Sequence, residues 1–396
     1  MKTQEEVVNT VIEGRQLKTK AAVINAVNED YKIEELNLGE IHPNEILVKM
    51  VASGICQSDE AMRLGGGNVP MPIVLGHEGS GIVEEIGSAV KGLEIGDQVV
   101  LAYDYCGTCD SCRTGFPSAC DDFVELNMGG GKRSDGTYTF YKEDGTPVSN
   151  FLKQSSFSTY TITGENNLIK VDPDVDLRKM VPLGCGLMTG FGTVANALKP
   201  ETSSSIAVFG TGTVGLAALM TAKVEGCSII IAVDIHDSRL ELAKELGATH
   251  IINSKTENLQ ERIAEITDGN GVNYSIDTTG VSQVMVSSIE VLSKRGVNVP
   301  LAVTPNLVEF STYMELVMGN RKIIGVSMGD VVPQIAVPKI VEYHKEGRFP
   351  FDKLIDYYKF EDINQASADS SKGISIKPIL IIDEEYRKDE PVEYMN

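Results

Sequence analysis

The chain of 396 residues predicts an α/β protein of two units, a doubly wound domain with a parallel sheet and a mostly β domain split around it. Three features point to this. The length favours two domains over one. Beyond about residue 185, short apolar runs alternate with helical patterns, the signature of successive βαβ units. Before that point, short alternating strands are separated by glycines and prolines, and a last strand, Ile379-Leu380-Ile381-Ile382, reappears near the end. The expected limits are 188–327 for the parallel-sheet domain and 1–187 with 328–396 for the other.

In order, residues 1–17 read as a short polar extension. Ala21–Ile24, Glu45–Val51, Gly81–Gly87 and Gly96–Leu101 read as strands, because apolar and polar residues alternate with period two. Residues 121–156, rich in Gly, Ser, Asp and Lys, read as a long loop, either a solvated excursion or one wall of a substrate cleft. After Cys185, Ile206–Phe209 is a strand, Leu216 to about Glu225 a helix, and Ile229–Val233 a strand ending at Asp234. Asp237 or Ser238 can cap a helix whose Leu240, Ala243 and Leu246 share a face and which Gly247 closes. Further strands are expected at Tyr274–Asp277, Val297–Val303 and Lys322–Val326, and a helix near Gln334–Glu346. The run 383–390 reads as a charged, solvated tail.

Composition is that of an ordinary globular protein, with 42% hydrophobic and 23% charged residues. A formal net charge of -21 repels nucleic-acid backbones and anionic membranes, so neither is expected as a partner. The acidic start, Met1-Lys2-Thr3-Gln4-Glu5-Glu6, lacks the apolar run of a signal peptide, and no stretch approaches the length of a membrane span. A cytoplasmic location is expected. Seven cysteines in such a chain point to a reducing compartment and to metal ligation.

Two cysteine sets carry chemistry. Cys106-x2-Cys109-x2-Cys112-x7-Cys120 can close a tetrahedral shell around zinc with no position left for substrate. An iron–sulfur cluster is the other chemical option for four thiolates, but the fourth cysteine is not followed by proline and no second cluster is evident. This set marks a structural lobe at about 103–121. Cys56, His77 in Gly76-His77-Glu78, and Cys185 in Gly184-Cys185-Gly186 form a Cys2His set, the kind that leaves a fourth zinc position open for catalysis. Singly, each has a plainer reading, since a lone buried cysteine packs as a small hydrophobe. Cys227 is read that way.

Gly210-Thr211-Gly212-Thr213-Val214-Gly215 follows a strand, opens a helix, and is followed nineteen residues after Gly215 by Asp234 at the end of the next strand. That is a complete dinucleotide fingerprint, with Gly210 making the turn, Gly212 admitting a pyrophosphate and Gly215 letting helix and strand close up. Asp234 would accept hydrogen bonds from ribose hydroxyls and repel a 2'-phosphate, which favours NAD over NADP.

These motifs together resemble the zinc-containing alcohol dehydrogenases of the medium-chain dehydrogenase/reductase family, over about 18–382. Within it, Gln154–Tyr160 and Pro182–Gly186 most resemble the aryl- or benzyl-alcohol dehydrogenases. The resemblance implies a GroES-like β domain around a Rossmann domain, NAD, two zinc ions per chain, a small alcohol or aldehyde as substrate, and a homo-oligomer, dimer or tetramer. It makes Cys56, His77 and Cys185 ligands of a catalytic zinc and the other four cysteines ligands of a structural one. It sets Glu78 behind the metal, makes Asp59 the partner that orients the His77 ring, and gives Ser58 the bond to the zinc-bound alcohol. Thr189 and Val214 match positions near the nicotinamide, Thr213 belongs to the phosphate loop, and Arg239 and Lys377 match basic positions at the ribose and pyrophosphate. Two positions depart. Ala61 stands where many relatives end their proton relay with histidine, so the proton would leave from Ser58 through the nicotinamide ribose to water. Gln57 replaces a basic pyrophosphate ligand.

The implied reaction is hydride transfer from a primary aryl or allylic alcohol to NAD+, giving the aldehyde, reversibly. A glutathione-dependent formaldehyde dehydrogenase, with Lys132 or Arg133 as anchors for an acidic thiol adduct, is the nearest rival, and a polyol dehydrogenase a further one. A catalytically inactive zinc- and nucleotide-binding protein is the rival from another class.

Overall fold

A computed structural model describes residues 17–67 and 69–395. The polar extension expected over 1–17 lies, Leu17 apart, outside the described residues. The run Ser205–Phe209 is apolar or small and buried along its length, as a strand covered by helices on both faces must be. It sits centrally in a six-stranded parallel sheet, ordered His250–Asn253, Ile229–Asp234, Ser205–Phe209, Val272–Asp277, Leu292–Pro300 and Lys322–Ile323. The strand order reverses beside Ser205–Phe209, so a crevice opens at its C-terminal end, where such sheets bind ligands.

The other strands build two β structures. Lys18–Ile24, Lys32–Leu38, Phe140–Tyr141, Pro147–Asn150 and Ile73–Val74 close a small barrel. A seven-stranded sheet is organised on Glu45–Gly54, which pairs with Gly79–Ile86, with Tyr160–Gly164 and with the late strand Lys377–Ile381. The late return of the chain to Glu45–Gly54 is what splits this β region around the parallel sheet. No single helix among the described residues is long and apolar enough to cross a membrane.

Three expectations need correction. Residues 121–156 are not a loop. They hold the helix Phe123–Met128 and two barrel strands, Phe140–Tyr141 and Pro147–Asn150, and Phe140, Val148 and Phe151 are buried. The strands are too short to show a period of two, so the glycines and charges around them dominate the pattern. The run 383–390 is not a free tail. The Leu177 N–H donates to the Tyr386 hydroxyl at 3.2 Å, Arg387 donates to the Asp174 and Val175 carbonyls at 3.1 Å each, and Arg178 donates to the Glu390 carbonyl at 2.8 Å. Neither Asp237 nor Ser238 caps its helix. His236 holds that position without a side-chain bond, and the helix runs Asp237–Leu246. Two strands also shift, to Leu292–Pro300 and Lys322–Ile323.

Candidate active site

Cys56 follows the strand Glu45–Gly54 and stands at the N-cap of the helix Gln57–Arg63, where first-turn N–H groups need acceptors. Asp59, in that first turn, ties the region together. Its Oδ2 accepts from the Cys56 N–H at 3.1 Å, while its Oδ1 accepts from the Gly76 N–H at 3.0 Å and from His77 Nδ1 at 2.8 Å. One fully buried carboxylate thus joins the cysteine segment to the histidine segment. It also holds the proton on Nδ1, which leaves the Nε2 lone pair free for a metal. Phe151 packs edge-on against the same ring, centroids 5.4 Å apart, and Gln154 Nε2 donates to the His77 carbonyl at 2.9 Å.

Cys185 arrives from the far end of the β region, after the turn Val181–Gly184 and before the helix Gly186–Gly192. Glu78 fixes it from behind. Its Oε1 accepts from the Gly186 N–H at 3.2 Å and its Oε2 from Lys377 Nζ at 2.7 Å, and Lys377 also donates to the Ile55 carbonyl at 3.1 Å. Burial pushes Glu78 up to about 7 against the pull of Lys377. Burial works against the Lys377 charge as well, but Glu78 together with Cys56 and Cys185 outweighs it and raises that pKa.

One donor atom from each of Cys56, His77, Glu78 and Cys185 lies within 4.8 Å of the others. The hydrogen bond from Cys185 holds the Cys56 thiol well below its ordinary range, and the same bond pushes Cys185 well above. The pair therefore shares a proton that a soft dication would displace. Two thiolates, an imidazole with a fixed tautomer and a carboxylate behind them suit zinc. Ser58 Oγ lies 3.9 Å from Cys56 Sγ, and Gln57 is exposed at the helix start.

The four-cysteine lobe is built differently. One sulfur from each of Cys106, Cys109, Cys112 and Cys120 lies within 4.8 Å of the rest, and backbone N–H groups point at them. The Thr108 and Cys109 N–H groups donate to Cys106 Sγ at 3.4 and 3.3 Å, and the Cys106 N–H donates to Cys120 Sγ at 3.3 Å. The bonds from Thr108 lower Cys106 to about 6. Four sulfurs with N–H donors fit a closed tetrahedral zinc shell.

At the crevice of the parallel sheet, the helix Thr213–Val224 starts from Gly212, where an added Cβ would meet nothing within 4 Å. A Cβ on Gly215 would lie 1.9 Å from the Gly210 carbonyl oxygen, so only glycine allows helix and strand to approach this closely. The open space at Gly212, at a helix N-terminus, suits a pyrophosphate. Val214 lies in the first turn of that helix, packed against Gly190, and Gly186, next to Cys185, lies against Thr213. The metal cluster and the phosphate loop therefore share a wall. Thr189 carries a buried hydroxyl without a partner.

Asp234 is more heavily engaged than the motif implies. Its Oδ2 accepts from the Thr211 N–H at 2.8 Å and hydroxyl at 2.7 Å, and its Oδ1 from the Ile235 and His236 N–H groups at 2.7 and 3.0 Å. Burial pushes its pKa up, but these four donors outweigh burial and hold it below the ordinary value. A cavity of about 400 Å³ opens nearby, lined by Phe209, Val233, Asn258 and Gln283 among others. Arg239 sits on the following helix with a buried, unpartnered Nε.

Two family models match this chain, an alcohol dehydrogenase GroES-like domain over residues 42–173 and a zinc-binding dehydrogenase domain over 213–342. A geraniol dehydrogenase of Castellaniella defragrans is 37% identical over 372 residues, which is 92% of this chain and 98% of the relative. The chain belongs to the zinc-containing alcohol dehydrogenases of the medium-chain family. Among solved structures, an alcohol dehydrogenase zinc-binding domain protein from Burkholderia ambifaria matches with 44% identity and a TM-score of 0.90, over 93% of this chain and all of that one. A benzyl alcohol dehydrogenase from Acinetobacter calcoaceticus matches with 43% identity and a TM-score of 0.88, over the same shares. Members of this family of dehydrogenases use NAD and zinc.

Residue pattern singled out the side chains that converge but missed Phe151 and Gln154 as neighbours of His77, and Thr211 as the partner of Asp234. Phe151 lies in the stretch read as a loop, and Gln154 served only as a subfamily marker. Thr211 lies between two fingerprint glycines, and no pattern marks the direction of its hydroxyl.

Proposed function

We propose that this enzyme oxidises primary aryl or allylic alcohols to aldehydes with NAD+, reversibly, using Cys56, His77 and Cys185 to hold the catalytic zinc. The observation that carries the reading is the convergence of those three side chains beside Ser58, against the wall they share with the phosphate loop. Zinc, when bound, acts as a Lewis acid toward an alcohol oxygen, and NAD+ supplies the hydride acceptor. Asp59 keeps the His77 ring in the ligating tautomer. Ser58 Oγ would accept the proton that the alcohol loses while releasing its own toward solvent, since Ala61 provides no imidazole to receive it. Thr189 and Val214 would border the nicotinamide, Gly210, Gly212, Thr213 and Gly215 the pyrophosphate, and Asp234 the adenosine ribose. Arg239, Lys377 and Gln57 would serve the phosphate side. The named substrates of the two relatives, geraniol and benzyl alcohol, support an allylic or aryl alcohol here.

The glutathione-dependent rival loses an anchor, because the Arg133 side chain is buried and forms a two-pronged ion pair with Glu45, at 2.9 and 2.6 Å. The test is NADH formation with benzyl alcohol, geraniol, a polyol and hydroxymethylglutathione. Benzyl alcohol or geraniol should give the highest kcat/KM, and a preference for hydroxymethylglutathione would overturn the substrate reading. We also propose a homo-oligomer in the cytoplasm. Val303, Leu307, Tyr313, Met314 and Val317 are exposed in the segment leading to the edge strand Lys322–Ile323, and the seven cysteines are unpaired. A monomer by light scattering would refute the assembly.

A further inference from the structure

The segment that leaves the parallel sheet, Met328–Asp330, holds three successive left-handed residues, with φ of 49° at Met328, 73° at Gly329 and 49° at Asp330. Two of them carry side chains, and such a run persists only where its surroundings over-determine it. Those surroundings come from two sides. On one side stands the four-cysteine lobe. Ser118, between Cys112 and Cys120, donates to Asp330 Oδ1 at 3.2 Å. The Tyr103 hydroxyl, just before the lobe, donates to the Val331 carbonyl at 2.6 Å, and the Tyr105 hydroxyl to Gln334 Oε1 at 3.1 Å. On the other side is the helix Gly186–Gly192. A Cβ on Gly329 would lie 2.6 Å from the Met188 carbonyl oxygen and 2.9 Å from that of Thr189, and a Cβ on Gly192 would lie 2.1 Å from the Gly329 carbonyl oxygen. Asn196 donates to the Asp330 carbonyl at 3.0 Å.

We infer that Asp330 is a positioning residue, latching this segment to the four-cysteine lobe so that the segment backs the helix carrying Thr189 at the nicotinamide end of the coenzyme site. The inference rests on the reading that the chain binds NAD. The lobe then acts beyond its own stability, through Ser118, Asp330 and Gly329, on a helix that starts next to Cys185.

Asp330→Gly removes the latch and keeps a residue that adopts positive φ freely, while Asp330→Asn keeps an oxygen acceptor and tolerates that conformation. The measurement is binding of NADH by fluorescence and of ADP-ribose, which lacks the nicotinamide, by calorimetry, with metal content determined alongside. Asp330→Gly should weaken NADH about 5- to 10-fold, the size of one or two lost hydrogen bonds, with ADP-ribose and metal content unchanged. Asp330→Asn should behave as the unmodified enzyme. Ser118→Ala, which removes the donor from the other side, should reproduce the NADH effect if Asp330→Gly folds poorly. Unchanged NADH binding in both variants, or equal weakening of NADH and ADP-ribose, overturns the latch alone. An unmodified enzyme that binds neither ligand overturns the NAD reading, and the latch with it.

Discussion

The two cysteine clusters gather their donor atoms by opposite means. The lobe draws four sulfurs from one short stretch, 106–120, and orients them with backbone N–H groups of that stretch. The other cluster draws on residues 56, 77 and 185, with Asp59, Glu78 and Lys377 hydrogen-bonded behind them. A local cluster is closed by its own backbone. A dispersed one depends on buried charges, which are costly unless every partner is present. Losing a partner at the dispersed cluster should therefore cost turnover, and losing a ligand in the lobe should cost stability and, through the Asp330 latch, NADH affinity more than kcat.

Cys185→Ala tests this contrast most severely. It should lower kcat by on the order of 10⁴-fold, several kcal/mol of Lewis-acid stabilisation, while elemental analysis falls from two zinc ions to one. Retention of two zinc ions would refute the ligand assignment. Next, Ser58→Ala should lower kcat by roughly 10²–10⁴-fold with little change in NAD+ affinity. A nearly silent variant would mean water takes the proton directly, and the relay would be withdrawn.

Asp234→Gly should shift the kcat/KM ratio toward NADP+ by roughly 10²-fold, as the loss of hydrogen bonds to a charged acceptor implies. Because the folded pKa of Asp234 lies below its ordinary value, its contribution is complete above the unfolded pKa and is lost only as pH falls through the folded one. The preference for NAD+ should thus be flat from about pH 6 to 9, far above the carboxylate range. A preference that titrates in that window would remove Asp234 from the role. Asp59→Asn should weaken metal affinity about 10- to 100-fold, read by competition with a chelator. Smallest in activity is Cys112→Ser, which should lower Tm and leave the kcat of the folded enzyme within about 3-fold, the change expected where catalytic contacts remain. A kcat loss as large as that of Cys185→Ala would erase the difference between the clusters.

Residue type and spacing within short windows were enough for the four-cysteine cluster, the fingerprint and the order of most elements. Cys106 to Cys120 and Gly210 to Gly215 are legible for that reason, since their geometry follows from the local chain. How residues distant along the chain meet was settled by packing. Packing put Phe140 and Val148 of the supposed loop into the barrel core, and it docked Tyr386 of the supposed tail. It bound Asp234 to Thr211 and joined Glu78 to Lys377. The direction of a side chain and pairing across hundreds of residues follow from burial of apolar surface and of charge, which no local pattern encodes.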